Sequence, residues 1–96
     1  MKKSIITNDM CHCYVCGTTR NIEKHHVIFG TANRKKSDQD GLVVPLCHYH
    51  HTGSNKAVHL NRGLDLKLKQ IAERKWLEYY DATVDEWIKR FGKNYI

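Results

Sequence analysis

A small α+β domain stapled by zinc is the fold class that the sequence predicts, on three observations. Cys13 and Cys16 form one pair with two residues between them, and Cys47 and His50 form another. Together these clips offer three thiolates and an imidazole, the soft donors that favour tetrahedral zinc. Two short β-prone stretches flank a polar segment, and the last third carries apolar residues at helical period. At 96 residues the chain is expected to form one domain, 1–96, with a zinc knuckle and metal core over 11–61 and a helical part over 62–96.

A core this small leaves only about 5–15 kcal/mol of net stability. A structural zinc contributes an apparent ~10–16 kcal/mol, enough to decide whether the domain folds. A disulfide framework is the plain alternative for four cysteines, but it requires export. The start, Met1-Lys2-Lys3-Ser4-Ile5-Ile6-Thr7-Asn8, is basic, yet only Ile5 and Ile6 are consecutively apolar before polarity returns. No apolar run approaches the length that spans a bilayer. No membrane association is therefore expected, and the cysteines read as ligands in a reducing cytoplasm. The net charge of +6 and pI ≈ 9.3 favour a polyanionic partner. Eight Lys/Arg stand against four Asp/Glu in the first 60 residues and eight against six in the last 36, so the excess is greater beside the metal ligands.

In chain order, residues 1–10 read as a loose lead-in. Cys13-Tyr14-Val15-Cys16-Gly17 reads as a zinc knuckle, with Gly17 free to take the positive φ of the closing turn. Cys11 competes with Cys13, but it leaves four residues before Cys16 and so a looser bite. Residues 21–29 become β-prone toward their end, and Leu42-Val43-Val44 is an apolar run able to pair with them. Between them, GTANRKKSDQDG (30–41) reads as a polar loop bounded by glycines, longer than a hairpin needs.

Leu64, Leu68, Ile71, Ala72, Trp76 and Tyr79 fall on one helical stripe, with no Gly or Pro from 64 to 80. Leu66 and Leu77 occupy another side, which packs internally or against a second copy, so the oligomeric state stays open. Thr83-Val84-Asp85-Glu86 has the form of a capping box, and Gly92 closes the short helix it opens. Trp76, Trp87, Tyr79, Tyr80 and Phe91 read as core rather than as stacking surfaces for bases.

Six of the seven histidines lie within residues 25–59. Adjacent residues near a strand end point in different directions, so His25 and His26 suit divided roles, one as metal ligand and one as base. His51 follows the zinc ligand His50, which fixes its position and turns its ring toward the hairpin. His59 completes a set of imidazoles if the chain turns helical after Gly53; Asn55 is the competing ligand if that helix starts early. His48 has no evident partner and reads as surface.

The Cys-x-x-Cys clip, "EKHHVIFG", "GLVVPLCHYHH" and "KAVH", over roughly residues 11–61, resemble the HNH (ββα-metal) nucleases. Similarity is greatest to small phage-type members, including those resembling RecA-dependent recombination-enhancing nucleases; "LDLKLKQIAE" and "FGKNYI" are similar to phage-encoded members too. The resemblance implies a zinc-stapled ββα-metal domain with a short β-hairpin and C-terminal helices. It implies His25 and His51 as ligands of a catalytic divalent ion (Mg²⁺, Mn²⁺ or Ni²⁺), His26 as general base, and His59 as a further ligand supplied by a helix. Structural Zn²⁺ falls to Cys13, Cys16, Cys47 and His50. The family's middle Asn is replaced by Asp40-Gly41-Leu42, with Asn33 standing earlier, so bracing between the strands falls to Asp40 or to backbone.

The expected function is hydrolysis of phosphodiester bonds in DNA, in a phage-derived protein linked to recombination or DNA processing, with a recombination protein as a further partner. Arg34, Lys35 and Lys36 are expected to hold the DNA backbone. The rival expectation is a zinc-ribbon adaptor without catalysis that binds DNA or protein.

Overall fold

The computed structural model describes residues 3–96, and Met1 and Lys2 of the expected lead-in lie outside them. The chain is a small mixed α+β fold. Its elements run β1 (Ile22–His26), α1 (Thr31–Asp40), β2 (Val43–Cys47), α2 (His48–His51), α3 (Arg62–Tyr79) and α4 (Val84–Phe91). β1 and β2 pair antiparallel, with Ile22 opposite Cys47 and His26 opposite Val43. A lone two-stranded sheet is marginal in water. Here β2 is wholly buried, and Val44 and Leu46 join Val27, Ile28, Leu68, Trp76, Trp87 and Phe91 in one core.

The segment expected as a polar loop is instead the ten-residue helix α1. It has no side-chain N-cap and no apolar stripe, so nothing local marks it as helical. Long-range polar contacts hold it. Ser37 Oγ donates to Ile28 O at 2.6 Å, and Asn33 Nδ2 donates to Phe91 O at 3.1 Å. Asp40, buried at its end, accepts from Trp76 Nε1 at 2.8 Å and from the Arg90 guanidinium, with Nη2 at 2.7 Å. The bracing expected of Asp40 is thus directed at α3 and α4. Gly41 ends α1 at φ 81°, where a Cβ would come within 2.5 Å of Lys3 O.

The lead-in is anchored from Ser4 onward. Ser4 Oγ donates to Val43 O at 2.6 Å, Ile5 N donates to Gly41 O at 2.9 Å, and Ile6 enters the core.

α3 buries Leu68, Ala72, Glu73 and Trp76, while Tyr79 is 56 % exposed and leaves the expected stripe. Leu77 packs on the core and Leu66 faces out. Trp76, Trp87 and Phe91 form an aromatic cluster with ring centroids 4.3–6.0 Å apart. α4 opens with the expected capping box of Thr83 and Glu86 and closes at Gly92, φ 90°. No helix among the described residues is long and apolar enough to cross a membrane.

Candidate metal centres and active-site cleft

The knuckle and the β2–α2 junction bring Cys13, Cys16, Cys47 and His50 together, their ligand atoms within 4.8 Å of one another. Cys16 Sγ lies 3.8 Å from Cys47 Sγ, and His50 Nδ1 lies 3.3 Å from Cys47 Sγ and 3.8 Å from Cys13 Sγ. Zinc–sulfur bonds of ~2.3 Å in a tetrahedron require edges near ~3.8 Å. A disulfide requires ~2.05 Å, and all four cysteines are free. This cluster is fit to hold a metal ion such as zinc. Cys11 stays outside it, exposed.

Local sequence builds that geometry. Gly17, at φ 79°, turns the knuckle so that its N–H reaches Cys13 O at 2.8 Å, and Tyr14 N ties the knuckle to Pro45 O at 2.8 Å. Burial opposes the Cys13 thiolate, but backbone N–H groups of Cys47, Cys16 and Val15 outweigh it and bring its pKa down to about 6. Burial pushes the Cys47 thiol up.

A second cluster joins His25, His51 and His59, again with ligand atoms within 4.8 Å of one another. Their rings form a nearly equilateral triangle with centroids 5.1, 5.3 and 5.2 Å apart. His25 Nε2 is buried without a hydrogen-bond partner among the described residues. An orphaned buried nitrogen is costly in a dry interior and is what a metal ligand requires. Burial, with His51 and His59 beside it, lowers the His25 pKa to about 3, and burial lowers that of His59 as well. His25 therefore presents a lone pair at neutral pH. Three imidazoles on one side of a cation leave its other positions open.

His59 arrives by a route the sequence reading did not foresee. α2 is a single turn, and no helix follows Gly53 before α3. Residues 52–60 are turns pinned by Val58 N donating to His50 O at 2.7 Å, with Ala57 and Val58 buried. These turns swing His59 over the other two rings, and Asn55 is exposed.

His25 and His26 do divide. His25 faces the triad, whereas His26 Nε2 sits 3.2 Å from Asp38 Oδ1 on α1. Lys24 Nζ donates to the same oxygen at 2.6 Å. Burial lowers the His26 pKa and Asp38 opposes the shift. On the other side of the strand, Glu23 accepts from His51 Nδ1 at 2.7 Å and from His48 Nδ1 at 3.1 Å, giving His48 a partner. A carboxylate behind Nδ1 directs the Nε2 lone pair of His51 away, the usual support of a ligating histidine. Sequence reasoning missed both Glu23 and Asp38. Period-two alternation places Glu23 on the face of His25 and so signals the first; nothing local signals the second.

His25, His26, His51 and His59, with Lys24, Phe29 and Arg34 at its walls, line a cleft of ≈ 230 Å³. A shallower depression continues past Arg34 to Lys35. Lys36 turns away, its Nζ donating to Arg90 O at 2.7 Å. Comparison with family models, curated proteins and solved structures found no match to the chain.

Proposed function

We propose that the chain is a metal-dependent DNA endonuclease of the HNH (ββα-metal) class. Zinc is held by Cys13, Cys16, Cys47 and His50, and a divalent ion such as Mg²⁺, Mn²⁺ or Ni²⁺ by His25, His51 and His59. The convergence of three imidazoles on a cleft that also holds His26 and Arg34 carries this reading. When bound, the divalent ion supplies Lewis-acid polarisation of the phosphate and charge stabilisation at the departing oxygen.

With its Nε2–H donated to Asp38, His26 carries its lone pair at Nδ1 and takes a proton from water there. The resulting hydroxide forms a bond to phosphorus and the P–O3′ bond breaks. Solvent protonates the leaving oxygen, which gives 5′-phosphate and 3′-hydroxyl ends. Arg34 and Lys35, exposed and without carboxylate partners among the described residues, hold the flanking phosphates. Lys36, committed to Arg90, takes no part.

Nicking of supercoiled plasmid with each metal tests the proposal. Wild-type protein is expected to cut, and His26→Ala to keep its zinc and fold while losing about 10²–10⁴-fold in rate. DNA binding without cleavage of single- or double-stranded DNA under all three metals would replace the enzyme with a zinc-ribbon adaptor.

A further inference from the structure

Lys69 on α3 sits behind the cleft, its Nζ 4.3 Å from the ring centroid of Phe29 and 5.5 Å from that of Tyr95. Phe29 walls the cleft, whereas Tyr95 walls a second groove with Arg62, Asp65, Leu66 and Lys93. Lys69 also lines that groove, so one of its side chains touches a wall of the cleft.

The second groove is electropositive. Arg62 and Lys93 are exposed and have no carboxylate partner among the described residues. Its one carboxylate is masked: Asp65 Oδ2 is bound by Lys69 Nζ at 2.8 Å, and Oδ1 is buried.

The groove is also held in shape. Tyr95 N donates to Glu73 Oε1 at 2.7 Å, Gln70 Nε2 donates to Tyr95 O at 3.0 Å, and Trp87 Nε1 donates to Lys93 O at 2.8 Å. Three backbone groups of the tail are thereby fixed on α3 and α4, and Lys93 is carried on an anchored segment. Cations held on a rigid scaffold lose less freedom on meeting phosphates.

We propose that Arg62 and Lys93 form a second phosphate-binding surface for duplex DNA, linked to the trihistidine cleft through Lys69 and Phe29. The inference rests on the endonuclease reading and extends it. The duplex backbone meets cations beyond the cleft as well as at Arg34 and Lys35, so the scissile phosphate is held by more than one set of contacts.

Binding of a labelled duplex, measured against salt in metal-loaded His26→Ala protein, tests this. The R62A/K93A pair is expected to bind more weakly and to flatten the slope of log affinity against log salt by about 2, near 1 per lost cation. R34A/K35A, which removes the cations at and beside the cleft, is expected to do the same. Both pairs change exposed side chains, and unchanged zinc content and circular dichroism establish that each is folded. A slope altered by R34A/K35A but not by R62A/K93A overturns the second surface and leaves the nuclease reading intact. No binding by the parent protein at low salt overturns both.

Discussion

The Asp38 carboxylate meets His26 Nε2 at 3.2 Å, joining α1 to the end of β1 across twelve residues of sequence. The same oxygen is held by Lys24 Nζ at 2.6 Å, so the acceptor is itself fixed. His26 is thereby set in one tautomer and one orientation at the edge of the cleft.

Asp38→Asn is expected to lower kcat for plasmid nicking by about tenfold or more, within the ~10²–10⁴ contributed by the base itself. Burial holds His26 below its ordinary pKa of 6.5 while Asp38 works against that shift. The acid limb of the rate profile is therefore expected below pH 6.5 and further down in the variant. An unmoved limb would make Asp38 merely structural.

Glu23 backs the three-histidine cluster through His51 Nδ1 at 2.7 Å. Glu23→Ala is expected to weaken divalent-ion binding there by about 10- to 100-fold and to leave one zinc per chain. Calorimetric titration of Mn²⁺ into zinc-loaded protein reads the first effect, and elemental analysis reads the second.

The Asp40–Arg90–Trp76 junction is a stability element. Asp40→Ala leaves Trp76 Nε1 without its acceptor and Arg90 without its carboxylate partner. Loss of about 3 kcal/mol is expected in urea unfolding, the lower end for a broken buried pair because the Arg90 side chain is 35 % exposed.

Glu73 makes stability depend on pH. Burial raises its native pKa above the ordinary 4.5, against the hydrogen bond from Tyr95 N. The folded chain then holds a proton that the unfolded chain releases first. The Glu73 contribution is fully present below 4.5 and is lost as pH rises through the native value. Glu73→Gln keeps an acceptor for Tyr95 and cannot ionise. Urea melts from about pH 4.5 to 7.5 should show the variant gaining on wild type as pH rises. A constant gap would contradict the assignment.

The Cys/His cluster was legible because the spacing within each of its pairs is a local property, whereas the three-histidine cluster was legible in part from the resemblance. Cys13-x-x-Cys16, Cys47-x-x-His50 and His51 directly after them fix their own neighbourhood, and the structure assembles them as the spacing implied. The β1–β2 pairing was legible from β-prone residues, although the pairing runs further along β2 than the apolar run 42–44 indicated. α1 was illegible because its support is distant: Asn33 finds Phe91 and Asp40 finds Arg90, partners 58 and 50 residues away. No periodicity encodes such contacts. The position of His59 was visible in part, as a late ligand, but the turns that deliver it carry no helical pattern.

Anomalous diffraction from crystals grown with zinc and soaked in Mn²⁺ tests the two-centre reading most directly. Zinc is expected among Cys13, Cys16, Cys47 and His50, with manganese some way off among His25, His51 and His59. Density for zinc alone, with the three imidazoles binding only water at saturating Mn²⁺, would contradict it.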